Sequence, residues 1–483
     1  MFTGNEWVAR ARWVDETLLA GEPSAGCLVL DRETDRRTLR EAVAERQERL
    51  AGAGLRPGGT AAVQLPPSFE YVVQILAVWR LGARLIVLDH RLTAPETDRA
   101  LALTRPQLLV STRDPAPSMR GFHAVTPELT RRPDGEPAHG EQVLVQLSSG
   151  STGPAKLIAR TAGELVAELD RYTRVEGMPG AGEQLVILGS LSHTWGLVGG
   201  LLHALHSGAR AVLPARTSVR GILDTVRTAD LPTTVLGVPA QVALLASVAE
   251  PPPLPRLVRV MTAGGRTPET VARTFTERYG VPLAQIYGMT ETGIITADMS
   301  GAHHPSVGTP APGVRVRIAD GELQVALDRS PYLAGALPER WADGWLRTHD
   351  AGEIDPASGR VTVLGRLDSQ VSVRGLKVDL TEVEEFLTGL PSVTDAVVLY
   401  DEGIDAYVTP APGAGLDEVR ERLAAELAAF KHPRRWYLLP EFPRTATGKP
   451  RRDPEVLRTA AEAAAGASGP VTPGAVSGAA APA

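Results

Sequence analysis

The sequence predicts an α/β protein built of parallel, doubly wound layers, on three observations. Short β-rich runs recur from about residue 60: TAAVQL, ARLIVL, QLLVS, QVLVQL, LVIL, RAVL, TTVLGV, LVRVMTAGG and LAQIYG. Stretches apolar at helical spacing, such as FEYVVQILAVWRLG and PAQVALLASVAE, lie between them. A parallel strand must return to the same end of its sheet, and a helix is the usual crossover, so the alternation reads as doubly wound layers. The third observation is a change of character after about residue 305, where VRVRIAD, GELQVAL and RVTVLGR are short strands with Gly/Asp turns and little helix between them. That run suggests a small antiparallel or barrel-like subdomain. Beyond Asp368 follows a compact α+β run: VSVRGLKVDL, the helix TEVEEFLTGL, the strands TDAVVLY and DAYVTP, and the helix LDEVRERLAAELAAF. From about residue 463 the chain is rich in Ala, Gly and Pro and reads as a disordered tail.

The chain has 483 residues, enough for a large core and two or more domains. A hydrophobic content of 43% and a charged content of 22% are those of an ordinary globular protein. A formal net charge of -6 argues against a nucleic-acid partner or an anionic membrane partner. The single cysteine, Cys27, excludes an intramolecular disulfide and reads as a small buried hydrophobe. The N-terminal stretch MFTGNEWVARARWVDETLLAG lacks the apolar core of a signal peptide, and no apolar run reaches membrane-spanning length uninterrupted. A cytoplasmic enzyme is the expectation.

One stretch stands out, VLVQLSSGSTGPAKLIART, residues 143–161. Lys+Arg total 50, yet only Lys156, Lys377, Lys431 and Lys449 are lysine. A lysine retained in an arginine background offers a compact point charge in place of a planar fork. Here it follows a strand and a loop of small residues, Ser148, Ser149, Gly150, Ser151, Thr152 and Gly153. Such a loop can turn N–H groups and hydroxyls toward a polyanion. It is not the nucleotide loop of P-loop enzymes, since Ala155 precedes Lys156 and Leu157 follows.

The stretch resembles the phosphate loop of the adenylate-forming superfamily of acyl- and aryl-CoA synthetases, adenylation enzymes and luciferases. It is closest to the branch of stand-alone aryl-acid AMP ligases. Further stretches match in order over roughly residues 30 to 455. IYGMTETG resembles the Tyr-Gly-x-Thr-Glu motif, with Tyr287, Gly288, Thr290 and Glu291. The resemblance implies that Thr290 meets the α-phosphate and Glu291 holds Mg2+. TAGGRTP, with Gly264 and Gly265, resembles the turn beside adenine and the acyl pocket. WLRTHDAGEID places Asp350 where the family grips the ribose hydroxyls, with His349 where glycine is usual. GRLDSQVSVRGLKVDLTEVE resembles the hinge, with Arg366 and Asp368, and FPRTATGKPRR the catalytic-lysine motif, with Lys449. Lys377 and Lys431 also fall in stretches that resemble family motifs.

The resemblance implies a large N-terminal domain, residues 1–366, of two doubly wound α/β subdomains and a small β-barrel-like one. A small mobile α+β domain, 367–462, follows, with the tail at 463–483. It also implies ATP and Mg2+ as cofactors and two half-reactions. In the first, Lys449 assists formation of an acyl-adenylate. In the second, the small domain turns, withdraws Lys449, and brings Gly375 to line a tunnel for CoA or a carrier protein's phosphopantetheine arm. The chemistry suits these residues, because an anionic acid must approach an anionic triphosphate. Two unit charges about 4 Å apart repel by about 4 kcal/mol at an effective dielectric of 20. One lysine, a cation on Glu291 and the loop hydroxyls offset terms of that size.

The acid itself is read from SLSHTWGLVGGL, residues 190–201, which resembles the start of the acyl pocket. Amino-acid-activating relatives place an aspartate there. Here stand His193, Thr194 and Trp195, and an unpaired ammonium is costly to bury. Trp195 would flatten the pocket, so an aromatic carboxylic acid such as a benzoate or cinnamate is expected. The alternatives are a short or medium-chain acid, a non-thiol acceptor such as an amine or nitrite, or a luciferase-like oxidation after adenylation.

Overall fold

The computed structural model describes residues 11–30, 32–113, 124–148, 156–333, 337–367, 369–443 and 450–467. The chain divides into two compact units. The first covers the described chain through Leu367 and also Arg374–Lys377, while the second takes in Ser369–Val373 and the chain from Val378.

Among the described residues the first unit contains two large sheets. A nine-stranded sheet runs in the order Thr309–Pro310, Gly293–Asp298, Leu283–Met289, Leu257–Thr262, Thr233–Gly237, Gln184–Ile187, Arg210–Val212, Gly26–Val29, Glu33–Asp35. The strands from Leu283–Met289 through Gly26–Val29 are parallel and the outer ones antiparallel. A six-stranded sheet runs Glu128–Arg131, Leu108–Ser111, Thr60–Val63, Arg84–Val87, Gln142–Ser148, Lys156–Thr161, again parallel within and antiparallel at both edges.

Side-chain alternation along the strands builds layers on both faces. Leu185 and Ile187 enter a central core, and Val186 between them enters an outer one. In the other sheet Ala61 and Val63 face the same central core, while Ala62 faces a second outer one. Period-two alternation with both faces apolar is what a parallel sheet covered on each side requires. Helices Arg36–Gly52, Phe69–Arg80 and Ala162–Thr173 and the π-helical stretch Trp195–Leu202 fill the central layer. Helices Val219–Arg227, Pro239–Ala246 and Glu269–Tyr279 cover the outer face of the larger sheet, and Ala94–Thr104 that of the smaller.

Helix Phe69–Arg80 shows how sequence sets position. Ser68 caps it by accepting from the Tyr71 N–H at 3.0 Å, and every residue from Tyr71 to Trp79 is buried. A helix apolar all round has no solvent face and belongs in an interior layer. Its polar tips reach both sheets' connections: Trp79 Nε1 donates to the Val143 carbonyl at 2.9 Å and Tyr71 Oη to the Leu191 carbonyl at 2.7 Å.

The run after residue 305 forms an antiparallel sheet of Val316–Ala319, Glu322–Ala326, Trp345–Ile354 and Trp341–Ala342, with Val361–Arg366 also pairing to Trp345–Ile354. The second unit has a three-stranded sheet of Val393–Tyr400, Ile404–Pro410 and Arg435–Leu438. It packs its own apolar core with helices Leu380–Thr388 and Leu416–Glu426, and a second cluster includes Leu457 of the last helix. That helix, Pro454–Ala467, passes the point at residue 463 where a disordered tail was expected. Its TAAEAAAGA sequence is alanine-rich, and alanine is the strongest helix former, so composition that reads as low complexity is locally helical. Among the described residues no helix is long and apolar enough to cross a membrane.

His203, fully buried behind the central layer, donates from Nε2 to the Pro179 carbonyl at 3.0 Å. Burial disfavours the imidazolium, and its pKa is pushed down from 6.5 to about 4. An unfolded chain therefore takes this proton near pH 6.5, before the folded one does. Its contribution is complete above that pH and is lost as pH falls toward 4. His203→Asn should flatten this dependence. Unfolding free energies from urea titrations at pH 7 and 5 should differ by about 2 kcal/mol less in the variant than in the parent.

Candidate active site

The first unit contains a pocket of about 690 Å³, its mouth included, whose lining all belongs to that unit. Its walls are Trp195, Val238, Ile286, Met289, Ile294 and Tyr172, with glycine faces between them, and its polar groups are few: Ser190, His193, Thr194, Thr290 and Lys377. An apolar cavity with a small number of convergent polar groups is the common form of a small-molecule site.

The turn Gly189–Trp195 leaves strand Gln184–Ile187 and enters the π-helical stretch. Gly196 makes the fold-back possible, because a Cβ there would stand 2.3 Å from the Ser190 carbonyl oxygen. Trp195 Nε1 donates to the Gly237 carbonyl at 2.9 Å, which fixes the indole as a wall. Residues of the opposite sheet hold the turn. Besides Tyr71 on Leu191, Ser192 Oγ donates to Asp89 Oδ2 at 2.8 Å, and Gln146 Nε2 donates to the Ser192 carbonyl at 3.0 Å. Thr194 Oγ1 donates to Gln146 Oε1 at 2.8 Å. The Thr194 hydroxyl proton is thereby committed to Gln146.

His193 lines the pocket with Nε2 3.7 Å from Asp89 Oδ2. Burial lowers the imidazole's pKa, the Asp89 charge raises it, and Arg91 and Lys377 lower it again, leaving it below 6.5. Burial pushes the Asp89 carboxyl up. The hydrogen bonds and charge of Arg91, whose Nε donates at 2.8 Å, outweigh that together with His193 and His90, so the carboxyl stays well below its usual range.

Tyr287, Asp350 and Arg366 converge in one place. Tyr287 Oη donates to Asp350 Oδ2 at 2.6 Å, and Arg366 Nη1 donates to Asp350 Oδ1 at 3.1 Å. Burial, then the Asp350 charge, pushes the Tyr287 phenol well up, so it remains a donor. His349 adopts φ 59°, the left-handed region that glycine favours. Its N–H donates to Glu322 Oε1 at 2.7 Å, so the glycine-like backbone is kept with histidine in place.

Thr290 lines the pocket, while Glu291 is buried beside it. Tyr332 Oη donates to Glu291 Oε1 at 3.3 Å, and Arg340 Nη2 lies 3.9 Å from the same oxygen. Among the described residues no group of three or more His, Cys, Asp or Glu could hold a metal ion. A lone carboxylate still fits Mg2+, which usually takes one or two carboxylates together with substrate phosphates. Of the glycines, Gly264 (φ +83°) and Gly375 (φ +82°) line the pocket, whereas Gly265 is exposed and does not. A Cβ on Gly375 would stand 2.5 Å from Val238 Cγ1. Gly288 lines the pocket too, and a Cβ there would stand 2.4 Å from the Gly293 carbonyl oxygen, a close approach within the hairpin. Lys156 opens its strand opposite Ser148, whose side chain is not described. Ser149, Gly150, Ser151, Thr152, Gly153, Asp368 and Lys449 lie outside the described residues. Lys431 is buried, with Nζ 2.7 Å from Glu382 Oε1.

Sequence reasoning missed Gln146, Asp89, Tyr172 and the pocket position of Lys377. Tyr172 and Glu168 are four residues apart, on one face of helix Ala162–Thr173. Glu168 is fully buried, pairs with Arg160 Nη2 at 2.5 Å, and accepts from the Ile294 N–H at 3.3 Å. It sits directly behind the Gly293 wall, where a Cβ would stand 2.0 Å from Glu168 Oε1.

Residues 31–331 match the family model of the AMP-binding enzyme, and residues 382–449 match the AMP-binding enzyme C-terminal domain. The chain belongs to the AMP-binding enzyme family. It is an ATP-dependent, AMP-forming acid ligase. It is 28% identical over 505 residues to a 4-coumarate–CoA ligase-like protein of Oryza sativa subsp. japonica, covering 90% of each chain. It is 29% identical over 489 residues to the 2-hydroxy-7-methoxy-5-methyl-1-naphthoate–CoA ligase of Streptomyces carzinostaticus, covering 86% of each. The solved structure of the amide bond synthetase McbA from Marinactinospora thermotolerans superposes with a TM-score of 0.77 at 25% identity, covering 92% of this chain and 98% of that one.

The buried Arg160–Glu168 pair supports the pocket wall of this AMP-binding enzyme. Glu168→Ala should leave an uncompensated buried guanidinium and lower stability by about 3–5 kcal/mol. Urea unfolding followed by tryptophan fluorescence measures it, and a loss under about 1 kcal/mol would mean that the pair is not a structural element.

Proposed function

We propose that this enzyme activates an aromatic carboxylic acid as its acyl-adenylate and passes the acyl group to a thiol, of CoA or of a carrier protein. The observation that carries the reading is the pocket's chemistry. Among the described residues its lining has no carboxylate to pair an ammonium, and its walls are the fixed indole of Trp195, aliphatic side chains and glycine faces. A mostly apolar pocket walled by an indole favours an aromatic ring over a charged α-amino acid. The naphthoate–CoA ligase to which the chain is similar acts on an acid of that shape.

In this reading His193, Thr194 and Trp195 bound the ring, and Gly264 and Gly288 give it flat surfaces. Asp350, held by Tyr287 and Arg366, takes the ribose hydroxyls. Thr290 donates to the α-phosphate, and the loop of Ser148, Ser149, Gly150, Ser151, Thr152, Gly153 and Lys156 takes the outgoing phosphates. Glu291 would hold Mg2+, which neutralises phosphate charge when bound. Residues 367–462, whose described part falls mostly in the second unit, are assigned as the mobile domain, with Asp368 at its pivot and Lys449 as its catalytic lysine. A carboxylate oxygen of the acid attacks the α-phosphorus of ATP, the bond to the bridging oxygen breaks, and pyrophosphate leaves. The thiol sulfur then attacks the acyl carbon as its proton is lost, and AMP departs. Gly375 gives the arm of the acceptor passage where a side chain would block it.

ATP–pyrophosphate exchange with a panel of acids tests this directly. Planar aryl acids should support exchange at least about 100-fold faster than free α-amino acids, since a buried unpaired ammonium costs several kcal/mol. Strong exchange with an α-amino acid would contradict the reading of the pocket.

A further inference from the structure

Gln146 is 3% exposed and lies near the end of strand Gln142–Ser148, two positions before Ser148. Its amide orientation is determined by its partners. The Ser192 carbonyl only accepts, so the atom 3.0 Å away must be the donating Nε2. Oε1 then faces Thr194 Oγ1 at 2.8 Å, and Thr194 must donate. The two bonds straddle His193. The His193 ring has no such anchor: its Nε2 is buried without a hydrogen-bond partner, 3.7 Å from Asp89 Oδ2. Its place in the pocket is therefore set by the backbone on either side of it.

We infer that Gln146 is a positioning residue that fixes the turn Ser192–Thr194 to strand Gln142–Ser148, and so sets His193 against the acid. Other contacts hold the rest of the turn, among them Tyr71 on Leu191, Asp89 on the Ser192 hydroxyl and Arg91 on the Ser190 hydroxyl, but none of these three reaches Thr194. An amide, with a donor and an acceptor in one plane, satisfies a carbonyl and a hydroxyl two residues apart at the same time at any pH. The inference rests on the pocket being the acid site.

Gln146→Glu tests it. A protonated glutamic acid reproduces both bonds, its O–H donating to Ser192 and its carbonyl accepting from Thr194. A carboxylate has no donor and sets a charge against the Ser192 carbonyl. Burial raises a carboxyl's pKa, so the exchange should fall within the assay range. The ratio of variant to parent kcat/KM for the acid, taken at each pH, should lie near one at about pH 5.5 and fall at least about ten-fold by about pH 8. The loss should fall in the KM for the acid, with the KM for ATP changed less than about two-fold. Asp89, His90, Arg91, His193 and Lys377 around the turn are common to both proteins, and Gln146→Met, which adds no charge, separates their titration from that of the new carboxyl. Gln146→Met should show the lowered value at every pH, and adding Thr194→Val to it should cost nothing more.

A flat pH ratio for Gln146→Glu, or losses in Gln146→Met and Thr194→Val that simply add, would overturn the inference. Amide hydrogen exchange decides it independently of substrate. Gln146→Met should speed exchange across residues 190–196 and leave the rest of the parent pattern unchanged; unchanged exchange there would overturn it. A parent enzyme that activates no aryl acid would overturn the proposed function, and the amide exchange result would still decide for or against Gln146.

Discussion

The site depends on a polar seam between two sheets. The turn that carries His193 and Thr194 grows out of the nine-stranded sheet, yet hydrogen bonds to Tyr71, Asp89 and Gln146 tie it to the other half of the first unit. Those partners are buried or nearly so, and buried polar groups that lose their partners cost about 1–3 kcal/mol each. The seam therefore fixes the relative placement of the two halves where the pocket forms. The central helix Phe69–Arg80 serves the same end, since it is apolar on all sides and carries Tyr71 to the turn.

The pocket is stiff for a related reason. Trp195 is pinned through its Nε1, and the wall at Gly293 is backed by the Arg160–Glu168 pair. The buried Arg160–Glu168 pair stands behind the wall, and the lining itself is mostly apolar, with Lys377, His193, Ser190, Thr194 and Thr290 among its polar groups. A planar ring inserted there would displace water from apolar surface at a gain of about 25 cal/mol per Å².

Much of this was legible in the sequence because it is local. Period-two runs such as LVIL and TAAV, separated by helical stretches, read directly as strands covered on both faces. Tyr287, Asp350 and Arg366 were legible as motif residues, and they meet in one cluster. His349 looked like an exception to glycine, and its φ of 59° shows the backbone need is met by a different residue. The parts that were not legible depend on distance along the chain. Gln146 reads as an ordinary polar residue in QVLVQL, and nothing local couples it to Ser192 and Thr194. Glu291 gave no sign of Tyr332 and Arg340, some forty residues further on. The alanine-rich helix at 454–467 was misread in part, because composition suggested disorder where propensity favours helix.

The central claim is that an aromatic ring lies in this pocket while the nucleotide reaches Asp350. A crystal structure of the enzyme with a non-hydrolysable aroyl-sulfamoyl adenosine measures it most directly. The account predicts ring carbons within about 4.5 Å of Trp195 and Ile294, and both ribose hydroxyls hydrogen-bonded to Asp350. A ring bound outside the Trp195 wall, or a ribose that leaves Asp350 to Tyr287 and Arg366 alone, would contradict it.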